Sequence, residues 1–141
     1  MKHRCLLVGA LALVALRASA FEAVTLLDYS GEEIFGRFCA SCHGESAKGD
    51  GPVAPSLTKA PPDLTQISRR YGKFPADRIR DTIDGRNVVA QHGPRVMPVW
   101  GYEFWIEEGG DVVAQRDMHT VINRLVEYLR TLQQESAGAR D

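Results

Sequence analysis

Cys39-Ala40-Ser41-Cys42-His43 is the stretch that most constrains this chain: two thiols three residues apart, with an imidazole directly after the second. Upstream, Ser30 is followed three residues later by Glu33, a capping box in which each side chain satisfies a backbone N–H at a helix start. The pair predicts a helix from about Gly31 to Cys42, so the motif closes a helix rather than opening one. Residues three apart on a helix share a face, which sends both thiols to one side with His43 beside them.

That arrangement fits the attachment of a haem, for which C-x-x-C-H is the signature. Thioethers from Cys39 and Cys42 would hold two vinyl groups along one porphyrin edge, and His43 would take the first axial position on the iron. Competing uses fit less well. A redox-active C-x-x-C opens a helix after a strand, where the helix N-terminus lowers a thiol pKa. A zinc site wants a fourth ligand of Cys or His type, and a disulfide between residues three apart is geometrically awkward.

The first twenty residues set the expected compartment. Lys2, His3 and Arg4 precede an apolar run from Cys5 to Leu16, and Ala18-Ser19-Ala20 supplies small residues for cleavage, the layout of a secretory signal peptide. The run of about twelve residues falls short of the roughly 20 that span a bilayer. No transmembrane anchor is therefore expected once residues 1–20 are removed, and Cys5 leaves with them. Cleavage after Ala20 makes residues 21–141 a periplasmic protein. It also removes Lys2, Arg4 and Arg17 and no acid, taking the formal net charge from −1 to −4, which disfavours nucleic acid as a partner. At 141 residues, with 44% apolar and 25% charged side chains, the chain has the makings of one compact domain.

Further helices can be read along it. Asp63, with Gln66 three residues on, starts a short helical stretch that Gly72 ends. Pro75 suits the first turn of another, on which Ile79 and Ile83 share a face before Gly85. The clearest periodicity comes last: Met118, Val121, Ile122, Leu125, Leu129 and Leu132 recur at spacings of three and four, an apolar stripe over about 117–134. Loops rich in Gly and Pro occupy 44–62, 85–101 and 107–111, and no stretch alternates as a strand does. The expected class is all-α, three to five helices whose long loops need something besides each other to pack against. One covalently bound haem would supply it.

With these features in hand, residues 30–133 resemble the class I monohaem cytochromes c. Gly31 and Phe35 match the small residue and the aromatic that pack that family's first helix on its last, where Leu125 and Tyr128 look like the partner positions. Pro55-Ser56-Leu57 resembles the proline segment whose carbonyl accepts a hydrogen bond from the ligand histidine, a contact that orients the ring and raises its basicity. Pro52 competes with Pro55 for that place.

The second axial ligand falls among three methionines. Met1 leaves with the signal, and Met118 stands on the apolar stripe of the last helix, a core position. Met97 lies in Gly93-Pro94-Arg95-Val96-Met97-Pro98-Val99-Trp100-Gly101, where Pro98 biases it toward extended backbone. The chain between His43 and Met97 is long enough to pass around a haem and return on its far side, and Met-Pro before Trp-Gly resembles the ligand loop of many bacterial family members. Met97 is thus the expected second ligand, its plain structural use being to fill a core gap. His92 is the alternative; it would make the iron bis-histidine and lower the potential that a thioether raises. Trp100, Tyr102, Phe104 and Trp105 follow as candidates to wall the haem, donate to a propionate or simply pack. Arg86 and Arg95 are candidates to neutralise propionates, and His119 lies off the apolar stripe.

A haem c held by His43 and Met97 has no open position for substrate, which implies an electron carrier or relay subunit rather than an enzyme. Its partners would be a periplasmic dehydrogenase, reductase or oxidase. A haem enzyme such as a peroxidase would need Met97 off the iron. Between Gly44 and Val99 stand nine Lys/Arg against six Asp/Glu, so a locally basic docking face is expected on an acidic whole.

Overall fold

The computed structural model describes residues 24–86 and 97–134, and the regular structure of these residues is helical throughout. The signal segment 1–20 with Cys5, and His92, Pro94 and Arg95, lie outside the described residues.

The capping box forms as its spacing suggests. Ser30 Oγ accepts from the Glu33 N–H at 3.2 Å while the Ser30 N–H donates to the Glu33 carboxylate at 2.7 Å, and α1 runs Gly31–Phe38. It stops short of Cys42: at Cys39 the chain bends and restarts as α2, Ala40–His43. Asp63 caps a 3-10 turn at Leu64–Gln66 by accepting from the Thr65 N–H at 2.8 Å, and the turn leads into α3, Ile67–Tyr71, which ends at Gly72. Gln66 does not complete a reciprocal box; its side-chain amide instead donates to Gln134 at 2.5 Å, tying this turn to the end of the last helix. α4, Ala76–Asp84, buries Ile83 and ends at Gly85 as expected.

Two further helices depart from what the sequence predicts. α5, Trp100–Glu107, occupies a stretch where none was assigned. Its inner side is Gly101 and Phe104 while Tyr102 and Ile106 are exposed, so apolar residues stand on both sides and blur the helical period. α6, Val112–Thr131, begins before the periodic stripe does. Asp111 starts it by accepting from the N–H groups of Val113 and Ala114 at 2.8 Å each, four orphan donors being the standing liability of any helix start.

α6 is the spine. Its buried row of Met118, Val121, Ile122, Leu125, Val126 and Leu129 receives α1, α4 and α5, each such side chain worth roughly 1.5–3 kcal/mol when taken from water. α1 crosses it at Gly31, where an added Cβ would overlap the Arg124 carbonyl oxygen and stand 2.8 Å from Tyr128 Cβ. The backbones touch there. Phe35 completes the crossing with its ring 5.5 Å from that of Tyr128. The chain before α1 is strapped to the same corner: the Leu26 N–H donates to Glu108 at 2.5 Å, and Arg124 donates to the carbonyls of Leu27 and Tyr29. This fixes the start of α1, and so the place where the cysteine motif emerges.

Candidate functional site

The bend at Cys39 builds the site. The Cys39 N–H still donates to Phe35 O at 2.9 Å, closing α1, while Cys39 O accepts from Cys42 at 3.2 Å and from His43 at 2.9 Å, opening the next turn. Cys39 and Cys42 therefore sit one turn apart on the same face, both partly buried free thiols. Burial, with Cys42 adding to it, pushes the Cys39 thiol up to about 12. A redox-active C-x-x-C needs the opposite, a depressed thiol pKa. A half-sheltered pair of free thiols on one face suits addition to two vinyl groups.

His43 comes directly after. Its Nδ1 lies 3.3 Å from the Pro62 carbonyl oxygen, and since a carbonyl can only accept, the proton belongs on Nδ1 and the Nε2 lone pair is left for a metal. Burial holds the ring below its ordinary pKa, with the Pro62 contact working the other way. The imidazole is thus neutral near pH 7, the form that ligates.

Pro62 takes the place expected for Pro55, and Pro52 does not fill it either. The reason is how the following loop folds back on α2. The carbonyls of Ser41, Cys42 and His43 accept in turn from Val53 at 3.0 Å, Gly51 at 3.2 Å and Gly49 at 2.8 Å. This sends Pro52 and Pro55 to exposed positions, Pro55 in a 3-10 turn at Ala54–Ser56. Meanwhile Leu64 donates to Ala47 O at 2.7 Å, and Gly49 lies so close to Pro61 that a Cβ would overlap its carbonyl oxygen. The Pro61-Pro62 pair is pressed against the histidine. The sequence held a signal for this: two prolines just before the Asp63 cap leave a rigid, extended carbonyl with no N–H of its own to bond.

Met97 is half-buried and packs against the core that also holds Phe35, Ile83 and Phe104 and takes Phe38, Cys39 and Trp100 at its margin. The same core carries an aromatic wall. Phe38 meets Trp100 and Phe104 edge-on at 5.7 and 5.1 Å, and Trp100 stacks on Phe104 at 5.6 Å. The other two aromatics do not join it. Trp105 donates its Nε1–H to Asp111 O at 2.9 Å, which removes it as a propionate donor, and Tyr102 is 56% exposed. Arg86 is paired through Nε with Asp84. Met118 is a core residue, 6% exposed, as its place on the stripe implied.

The donor set fits a covalently held haem: two free thiols on one helical face, a neutral imidazole with its remote nitrogen free, and a thioether on the same aromatic-walled core. No group of three or more His, Cys, Asp or Glu converges as a metal cluster among the described residues, so the cysteine pair has no partners there for a zinc site. Nor, among them, is any helix long and apolar enough to cross a membrane. A family model described as cytochrome c oxidase, cbb3-type, subunit III matches residues 28–114. Neither a curated protein nor a solved structure matches the chain.

Proposed function

The chain belongs to the family of cytochrome c oxidase, cbb3-type, subunit III, and from that premise we propose that it holds one haem c through Cys39 and Cys42, with His43 and Met97 on the iron, and passes single electrons. Membership makes it a c-type cytochrome domain of all-α, cytochrome c-like fold with a haem-based role in electron transfer. The ligand pair, the single haem and the compartment rest on this chain's own residues. The observation that carries the reading is the coincidence, on one helical turn, of the Cys39 and Cys42 thiols with an imidazole whose Nδ1 is held by the Pro62 carbonyl.

A bound haem supplies a reversible one-electron change at its iron; the chain's residues do the rest. The two cysteines anchor the group against loss. His43, kept in one tautomer by Pro62, presents Nε2 and nothing else. Phe38, Trp100 and Phe104 exclude water on one side, lowering the local dielectric that sets a potential. A Met97 thioether on the iron leaves no open position, which favours a carrier over a peroxidase.

Residues 1–20 as a cleaved signal place the mature protein in the periplasm. The family's description names an oxidase subunit, which favours a fixed relay in a redox complex over a free carrier. Its partners on this reading are a periplasmic dehydrogenase, reductase or oxidase. Exposed Arg69, Arg70, Lys73 and Arg78 on and between α3 and α4 offer the basic docking face, immediately beyond the segment that holds His43.

The test is expression of the full chain in a host that matures c-type cytochromes. One alkali-stable haem per chain, in the periplasmic fraction, with an N-terminus at Phe21, is the expected result. A non-covalent haem, two haems per chain or an intact Met1 in the cytoplasm contradicts it.

A further inference from the structure

α4 ends on an acid, Asp84, which works against its own helix, since the C-terminal end of the helix dipole disfavours a carboxylate. The side chain is nevertheless only 10% exposed. Two neighbours explain it. Arg86 Nε pairs with Asp84 Oδ2. On the other side, Oδ1 lies against Gly101 in the first turn of α5, where a Cβ would overlap it and stand 2.8 Å from the Asp84 carbonyl oxygen. Only glycine lets α5 begin so close to the end of α4. The carboxylate thereby sits at the positive end of α5, which offsets its unfavourable position on α4.

These neighbours bracket Met97. Arg86 comes before it in the chain and Trp100-Gly101 come just after, so one largely buried carboxylate ties together both ends of the stretch that carries the sulfur. We propose that Asp84 is a positioning residue that presents Met97 to the iron, by pinning Arg86 and the start of α5 to the end of α4. The inference rests on the reading above that Met97 is the second ligand. The Arg86 guanidinium is 61% exposed, so that half of the clamp is weak alone; the contact with α5 is the sheltered half. Without the charge, a smaller fraction of molecules holds the sulfur in place, and an external ligand competes for the iron more successfully by that fraction.

The experiment is an imidazole titration of the full-length ferric holoprotein, followed through loss of the sulfur-to-iron charge-transfer band, with urea unfolding measured in parallel. Asp84→Asn keeps the shape and removes the charge; it is expected to tighten apparent imidazole binding about fivefold, ~1 kcal/mol at 1.4 kcal/mol per tenfold. Arg86→Gln leaves the buried side chain in place and is expected to act in the same direction, about twofold, so the assignment is testable even where Asp84→Asn does not fold. Asp111→Ala, which removes the N-cap of α6, is expected to lower the urea midpoint without altering imidazole affinity, separating positioning from general stability. Unchanged imidazole affinity in both Asp84→Asn and Arg86→Gln, with the band present, overturns the role of Asp84 and leaves Met97 standing. A wild-type protein with no such band overturns the ligand reading and the role of Asp84 with it.

Discussion

Gly31 at the start of α1 lies directly on the carbonyl of Arg124 in α6, so that no atom beyond hydrogen fits between the two backbones. Because the same helix delivers Cys39 and Cys42, this crossing positions the site as well as the core. Gly31→Ala should force the helices apart and cost about 1–3 kcal/mol, the usual toll of overpacking. In urea the midpoint should fall with an unchanged m-value; an undiminished midpoint would mean the crossing is looser than described.

The hydrogen bond from His43 Nδ1 goes to the Pro62 carbonyl. Pro62→Ala keeps the carbonyl but frees the backbone that holds it, making the imidazole less basic and the ferric state less favoured. The reduction potential should rise by on the order of 20 mV, the one-electron equivalent of about 0.5 kcal/mol of hydrogen-bond energy. Pro55→Ala, on an exposed turn, should leave it in place. A shift in Pro55→Ala and none in Pro62→Ala would restore Pro55 as the partner.

Asp111 satisfies two N–H groups at the start of α6. Asp111→Ala should cost about 1 kcal/mol, the typical value of an N-cap, read as a lower Tm with an unaltered haem spectrum. A spectral change would show that the cap reaches the site as well as the spine.

Glu33 is held below the usual carboxylate range, chiefly because the Ser30 N–H donates to it and then because the Ser30 hydroxyl does. A carboxyl whose folded pKa lies below its unfolded value of about 4.3 stabilises the fold above that value, and the contribution is lost as pH falls through the folded pKa. Glu33→Gln should therefore lower Tm near neutrality and approach the parent protein below about pH 4. Parallel Tm curves across that range would rule out a contribution from the ionised group.

Much of this was legible in the residues because it is local. Ser30 with Glu33, Asp63 before its turn, and Gly72 and Gly85 after theirs act within one turn of helix, and each lies where its spacing implies. The long-range features were harder. The break at Cys39 has no Pro or Gly to announce it. α5 hid because Tyr102 and Ile106 are apolar yet exposed, and the start of α6 hid behind exposed Val112 and Val113. Choosing Pro62 over Pro55 depends on three backbone hydrogen bonds that fold the loop onto α2, and nothing in the side-chain pattern records them. The role of Asp84 is hidden for a similar reason: its neighbour across the fold is a glycine, which leaves no chemical trace in a sequence.

The central claim is that Met97, not Met118, would be the second residue holding the iron together with His43, and the ferric absorption spectrum of paired variants tests it most directly. Met97→Ala should abolish the sulfur-to-iron charge-transfer band and open the iron to cyanide, whereas Met118→Ala, in a buried core position, should keep the band while losing about 2–5 kcal/mol of stability. A band that survives in Met97→Ala, or that vanishes only in Met118→Ala, contradicts the ligand assignment and with it the argument for a closed, electron-carrying iron.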